Sequence, residues 1–378
     1  MVVLWLGKTE SPKTWIKDFE LKILDKYILK KYIGTFFVLI LLFIPIGIMV
    51  DLSEKIDKFK ANNVPLDETL LYYIDFTWYF ANLLYPIFLF LAIIWFTSKM
   101  ANHTEVIAIL SSGISFRRFL RPFLIGASLI CLLAMVVSLY IAPAASKGYN
   151  EFRYKYLSRN VERFTEDVFQ QINDQEYVYV SNYDPIRESA DNFVLTHFQG
   201  NELKFKIKAS SIRWQNEDSL FRLTRYNKRK FTQRGEVYTQ ETLKDTIFDF
   251  SIEDLAPVNY VAETLSLGQL IGFIKLERER GSPLINRHVL NFHKRWSIPL
   301  SVFVLTFIAV AVASKKRRGG TGFNLALGVT LGFLFVFFDK VLGVLVAKST
   351  FSPIIAAWFP LFLFATIGLY LMRKTTSQ

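Results

Sequence analysis

The sequence predicts a polytopic α-helical membrane protein of six transmembrane helices, three on each side of an inserted extracytoplasmic all-β domain. Three observations lead there. Hydrophobic residues make up 52% of the 378-residue chain, and Phe alone numbers 36. The apolar residues gather into runs of roughly 20 residues each, the length that crosses a bilayer. Between the third and fourth runs the texture changes to strict alternation, which belongs to half-buried strands. The formal net charge of +12 is spread over loops that flank the runs and over the mid-chain domain. It therefore reads as membrane orientation, with no nucleic-acid partner expected.

Four segments follow: a cytoplasmic extension and interfacial helix over 1–33, spans one to three over 34–145, a β domain over 146–265, and a linker helix, spans four to six and a cytoplasmic tail over 266–378. Residues 1–20 are of mixed polar character without strong periodicity. Gly7-Lys8-Thr9 lacks the earlier glycine of a phosphate-binding loop. In LKILDKYILKKYI, residues 21–33, Lys22, Asp25, Lys26 and Lys30 share one helical face, and Leu21, Leu24, Ile28 and Tyr32 fall elsewhere. Two readings stand for it: a helix lying on the membrane surface, or the polar start of span one.

Span one covers about 34–50 and tolerates Pro45, as membrane helices do. Span two covers about 70–97, with Pro86 a kink site, and span three about 119–142. The loop between spans two and three, KMANHTEVIAILSSGISFRRFLRP, does not read as loop. Glu105 opens a short helix of about 103–112 with Val106, Ile109 and Leu110 as an apolar stripe, and Ser112-Gly113 breaks it. Nothing in the sequence obviously needs that stripe within the chain, so the helix is expected to dock a partner. The plainer account makes Glu105 a solvated first-turn acid that helps the helix dipole.

Lys22, Lys26, Lys30 and Lys31 precede span one, and Lys99, Arg117, Arg118 and Arg121 flank the short helix. Lys315, Lys316, Arg317 and Arg318 follow span four, and Arg373 and Lys374 follow span six. An even alternation puts all four groups on one side, which the excess of Lys and Arg makes cytoplasmic, with both termini.

In the β domain Leu203-Lys204-Phe205-Lys206-Ile207-Lys208-Ala209 alternates perfectly. Residues 177–180, 192–196, 220–223 and 246–252 are further strand candidates, separated by turns such as Gln199-Gly200-Asn201. Short strands without a long helix argue for a small sandwich or roll. Residues 266–280 return to helical spacing, with Leu267, Leu270, Ile271 and Ile274 on one face. Spans four, five and six cover about 286–314, 325–346 and 354–372.

Candidate sites are few. No catalytic constellation, nucleophile elbow or nucleotide-binding loop is present, and His288 and His293 are not at the spacing of a helical metal pair. Neither catalytic nor metal residues are assigned. Lone Cys131 offers no disulfide framework. Asp75, Asp339 and Lys340 are intramembrane charges, costly and often functional, with an interfacial ion pair as the plain account of the last two. Lys55, Lys58 and Lys60 line the outer mouth of span one, and Lys294 and Arg295 stand near the outer end of span four. These five either snorkel or hold the phosphates of an anionic lipid.

The order of parts resembles the LptF/LptG lipopolysaccharide-export permeases. Leu24-Asp25-Lys26-Tyr27-Ile28 resembles the family's usual opening, which would make residues 1–20 an extension or the start codon misassigned. EVIAILSSGIS, from Glu105 to Ser115, is similar to its coupling-helix signature. His293-Lys294-Arg295-Trp296 ahead of Pro299-Leu300, Phe338-Asp339-Lys340 before Gly343, and Ala357-Trp358-Phe359-Pro360 resemble its last three spans. The resemblance implies a periplasmic domain of jelly-roll form and a place in the inner membrane of a Gram-negative bacterium. It implies a sister permease subunit, a cytoplasmic ABC ATPase dimer, a single-span bitopic subunit and a periplasmic bridge protein as partners, with lipopolysaccharide as cargo. ATP would be used by the partner ATPase, no cofactor being bound by this chain. The coupling residues would be Glu105, Val106, Ile109, Leu110, Ser112 and Gly113. Lys60 matches a basic position of the family, whereas Glu54 stands where some members carry lysine. Two alternatives remain, an ABC permease for another lipid or a lipoprotein and a non-transporting membrane scaffold.

Overall fold

The computed structural model describes residues 22–157, 166–184, 187–215, 220–232, 235–250, 260–279, 281–282, 284–315, 320–348 and 351–376. The extension over 1–20 and the basic run at 316–318 lie outside them. Among the described residues six helices are long and apolar enough to cross a membrane. They are α1 (Ile23–Ala61), α2 (Leu66–Asn102), α4 (Phe116–Leu157), α7 (Ile285–Ala313), α8 (Gly320–Lys348) and α9 (Pro353–Thr376). A short α3 (Glu105–Ser111) sits between α2 and α4, and α5 (Val261–Thr264) and α6 (Leu267–Glu279) lead into α7. Because the helices alternate in direction, α3 lies at one end of the bundle and the β domain at the other.

Helix α7 is the axis of the bundle. It packs against α9, α2, α4 and α8, and 72% of its most apolar window is buried, against 6% for α1. The reason is in its side chains. Ser297, Ser301, Thr306, Ala309, Ala311 and Ala313 are small and buried, and small residues let backbones approach closely where lipid offers no hydrophobic drive. Helix α1 carries Phe37, Leu41, Phe43, Ile46 and Met49 outward, a surface suited to lipid or a membrane partner.

At 39 residues and ~1.5 Å per residue, α1 is about 58 Å long, nearly twice the hydrocarbon thickness. Residues 23–33 run unbroken into the span, as its polar start. Their buried side is Asp25, Ile28 and Tyr32, so Asp25 leaves the exposed polar face on which it was expected. Tyr32 stacks on Phe123 of α4 with ring centroids 5.6 Å apart and donates to the Phe123 carbonyl at 3.2 Å. Only glycine fits opposite, since a Cβ on Gly126 would overlap the Tyr32 hydroxyl.

Helix α4 takes a π turn at Val137–Ile141, just ahead of Pro143, which lacks the N–H for a regular helical bond. It then runs past the bundle toward the β domain. There Lys155 pairs with Glu68 at 2.9 Å, and the Asn62 amide donates to the Tyr156 carbonyl at 2.7 Å. Phe59, Tyr72, Phe152 and Leu157 form an aromatic-rich knot that ties α1, α2 and α4 at this end, with Tyr72 stacked 4.4 Å from Phe152.

Among its described residues the inserted domain forms one antiparallel sheet of six strands in sequential order. Its strands are β1 (Glu166–Asn173), β2 (Glu176–Asp184), β3 (Ser189–Gln199), β4 (Glu202–Gln215), β5 (Leu220–Thr232) and β6 (Gly235–Thr246). Gly200, at φ +61°, makes the tight turn between β3 and β4, a left-handed conformation that favours glycine. Val178, Val180, Phe193, Leu195, Ile207, Ile212, Phe221 and Leu223 bury one face. Two sequence expectations change here. The candidate at 246–252 is not a strand over its described part: β6 ends at Thr246, and Phe248 and Phe250 instead fold onto Phe193 and Phe221. The outermost strands β1 and β6 carry no legible alternation, because an edge strand with a solvated face has little apolar pattern to show. Acids and lysine on β6 (Glu236, Glu241, Lys244, Asp245) also guard that edge against further pairing.

Helix α6 forms where helical spacing predicts it, but its buried residues are Leu270 and Glu277, and Ile271 faces out. Gly281, at φ +65°, ends it, with its N–H returned to the Arg278 carbonyl.

Candidate functional site

Two places in this fold gather the candidate residues: α3 at one end, and a cavity among α2, α4, α7 and α8 toward the other. Helix α3 is bounded by two positive-φ residues, Thr104 before it (φ 62°) and Gly113 after it (φ 87°). Ser112 closes it through its N–H to the Ala108 carbonyl and its hydroxyl to the Ile109 carbonyl at 2.7 Å. Val106 is buried, and Ile109 and Leu110 pack against the main core. The apolar stripe therefore does not wait for a partner; the bundle itself takes it. Glu105 is half-buried and accepts from the Tyr27 hydroxyl of α1 at 3.4 Å. What α3 presents outward is His103, Thr104, Ile107, Ala108, Ser111, Ser112 and Gly113, with Ile107 the exposed large apolar side chain.

Beside α3, Arg118 at the start of α4 grips Asp25 at the start of α1 through two bonds. The seat of α3 is thus pinned by charge-assisted hydrogen bonds, the strong kind. The sequence placed both residues in basic-rich flanks and gave no sign that they meet.

At the opposite end, the three lysines of α1 part company. Lys55 pairs with Asp51 one turn back and donates to the Tyr72 hydroxyl at 2.8 Å, while that hydroxyl donates to Asp51 at 2.9 Å. Lys58 and Lys60 are exposed in the last turn, where a cation also suits the helix dipole. Asp75 of α2 lies tight against Gly148 of α4, where a Cβ would overlap its carboxylate.

The cavity has a volume of about 430 Å³ and takes Asp339 and Lys340 together with Lys294 and Arg295. Asp339 pairs across the helices with Lys294, at 2.8 Å, rather than with its neighbour Lys340. On a helix adjacent residues diverge by about 100°, so Asp339 and Lys340 cannot face one another. Lys340 is exposed at the rim. Arg295, 7% exposed, donates through Nη2 to the carbonyls of Ala262 at 2.9 Å and Leu265 at 2.7 Å. Four basic residues, Arg287, Lys294, Arg295 and Lys340, face two acidic ones, Glu263 and Asp339, around the lining. Such a surplus in a low-dielectric recess attracts anions. The cavity wall also holds Asn82, Ser138, Arg287 and Asn291, none of which stood out in the sequence, because a lone polar residue in a span points nowhere until its neighbours are known.

Comparison with known proteins bears on both places. The family model described as "Lipopolysaccharide export system permease LptF/LptG" matches residues 26–374. The lipopolysaccharide export system permease protein LptG of Escherichia coli strain K12 is 20% identical over 356 residues, 93% of this chain and 99% of the relative. LptG of Haemophilus influenzae is 20% identical over 354 residues, 93% of this chain and 98% of the relative.

Proposed function

The chain belongs to the LptF/LptG family of lipopolysaccharide export permeases, and on that premise we propose that it is a permease subunit of an ATP-driven exporter. In this reading it lies in the inner membrane with α3 and both termini cytoplasmic and the β domain periplasmic. It pairs with a sister permease, and a separate ABC ATPase dimer hydrolyses the ATP. Lipopolysaccharide enters from the outer leaflet and passes by way of the β domain to a bridge protein, with a single-span subunit alongside.

The observation that carries the reading is the layout of the fold: a rigidly seated α3 at one end, a β domain at the other, and an anion-attracting cavity on the way between them. Force applied to α3 reaches α1 through Tyr27–Glu105, and the adjoining start of α4 is tied to α1 through Asp25–Arg118; packed helices pass on displacement as units. The coupling set of Glu105, Val106, Ile109, Leu110, Ser112 and Gly113 divides by role. Val106, Ile109 and Leu110 seat the helix, Glu105 ties it to α1, and Ser112 and Gly113 turn the chain beside a docking face centred on Ile107. Among the five phosphate candidates, Lys58 and Lys60 are exposed at the mouth and suit a phosphate directly. Lys55, Lys294 and, through Nη2, Arg295 hold bonds within the chain and stand in the charged wall.

The test is co-purification from a Gram-negative host's inner membrane, blotting for a nucleotide-binding ATPase and assaying bound lipid A. Wild type should retain both, and Ile107→Arg should lose the ATPase while keeping the lipid. An ATPase without lipid A would favour a permease for another lipid or lipoprotein, and absence of any ATPase would favour a scaffold.

A further inference from the structure

Arg295 holds two things at once. Its Nη2 donates to the carbonyls of Ala262 and Leu265, in the short linker that carries the chain from the β domain back into the bundle. Among the described residues its buried Nη1 has no hydrogen-bond partner, and neither has the buried Nδ2 of Asn291, one helical turn earlier on α7. Both residues line the 430 Å³ cavity. Two buried orphan donors on residues that line a cavity are costly unless an acceptor visits, since each forfeits its solvation. A guanidinium is planar and stiff, so a ligand that seats on Nη1 fixes Nη2 as well. The arginine backbone is held too, its carbonyl accepting from Ser138 at the π turn of α4, at 3.4 Å.

We propose that Arg295 is a two-sided positioning residue: an anionic headgroup oxygen in the cavity binds Nη1, together with Asn291, and thereby stiffens the β-domain linker held by Nη2. The ligand class is an amphiphile bearing phosphate or carboxylate. The acceptor-rich head matches the orphan donors, and the rim cations Lys340 and Arg287 supply the charge. Occupancy of the cavity is in this way registered at the root of the β domain before anything reaches the strands. The inference rests on the export reading only for the identity of the cargo.

The experiment is amide hydrogen exchange over residues 260–266 of the full-length chain in phosphatidylcholine nanodiscs. Three additions are compared: lipid A, phosphatidylglycerol, or inorganic phosphate in the buffer, with bound lipid quantified by phosphorus analysis. In the wild type a bound anionic lipid should slow exchange of the linker by about tenfold. Arg295→Lys keeps the charge but loses the fork, so its linker should exchange faster without lipid and show no response to it. Should Arg295→Lys not fold, Asn291→Leu keeps both linker bonds and fills the donor side. It must then lose the response while its lipid-free exchange stays at the wild-type rate. An equal response in either variant overturns the proposal, as does a wild-type linker that ignores every anion. Response to free phosphate alone overturns the assignment to a lipid. Bound lipid A with a silent linker removes this inference and leaves the export reading standing; a linker that answers phosphatidylglycerol while lipid A never binds does the reverse.

Discussion

Arg118 and Asp25 meet face to face, Nη1 to Oδ1 at 2.6 Å and Nη2 to Oδ2 at 2.5 Å, although 92 residues of chain separate them. Asp25 is 1% exposed at its side chain and Arg118 27%, so the two partners are not equivalent. Arg118→Met strands a carboxylate in the protein and should cost about 3 kcal/mol. Asp25→Asn leaves the arginine a route to water and should cost about half as much. Thermal unfolding in detergent, followed by near-ultraviolet signal, checks the order; equal losses would refute the asymmetry.

Gly126 should not tolerate a side chain. A Cβ there overlaps the Tyr32 hydroxyl, and Tyr32 cannot retreat because it is fully buried against Phe123. Gly126→Ala is expected to destabilise α1 against α4 by about 1–3 kcal/mol, the usual range for overpacking. Gly113→Ala meets no neighbour, so strain from its positive φ is its sole penalty. The two melting temperatures, measured side by side, separate clash from strain.

Lys294 and Asp339 should behave as a unit. Both side chains are less than one-fifth exposed, so removing either leaves a charge with no partner. Lys294→Met and Asp339→Leu are each expected to lower stability by about 3 kcal/mol, with the double variant close to wild type. A double-mutant cycle of unfolding midpoints tests this, and strictly additive losses would show that the pair is not coupled.

The two faces of α3 predict opposite phenotypes. Val106→Asp buries an unpaired charge in the main core and should prevent accumulation of folded protein. Ile107→Asp changes an exposed side chain and should leave the melting temperature within about 1 °C. If α3 docks an ATPase, Ile107→Asp alone should yield folded protein stripped of it. Expression level and pull-down together read the split.

Acid should loosen the β5–β6 edge first. Arg222 donates to Asp245 in two bonds at 2.8 Å and holds its carboxyl below the usual carboxylate range. Hydrogen bonds from Arg229, then Tyr238, do the same for Glu236. A depressed folded-state carboxyl contributes stability that is present above its unfolded value, near pH 4, and is lost as pH falls through the folded one. Exchange of β6 amides, corrected for intrinsic rate, should therefore rise between pH 5 and pH 3 relative to β3. Asp245→Asn should remove part of that dependence.

Much of this fold was legible in the chain. Six apolar runs gave six helices because a span must satisfy its backbone internally and face lipid with apolar side chains, a demand written in composition alone. β4 was equally plain, since Leu203 to Ala209 alternate over a sheet with one face in the core. β1 and β6 were not, because edge strands have little to bury. The site was half legible. Glu105 and the stripe of α3 stood out as residue types in the wrong kind of loop, but their direction did not: the stripe seats the helix and Ile107 faces out.

The sequence by itself determined the number of spans, the inserted β domain and the short helix, because these follow from hydrophobic period and length along the chain. Only the tertiary structure decided the partners. That Asp25 meets Arg118, that Asp339 takes Lys294 and not Lys340, and that Arg295 holds the linker from the β domain all depend on which helices lie side by side. A charge in a membrane bundle is defined by what neutralises it, and that neighbour comes from packing between helices far apart in the chain.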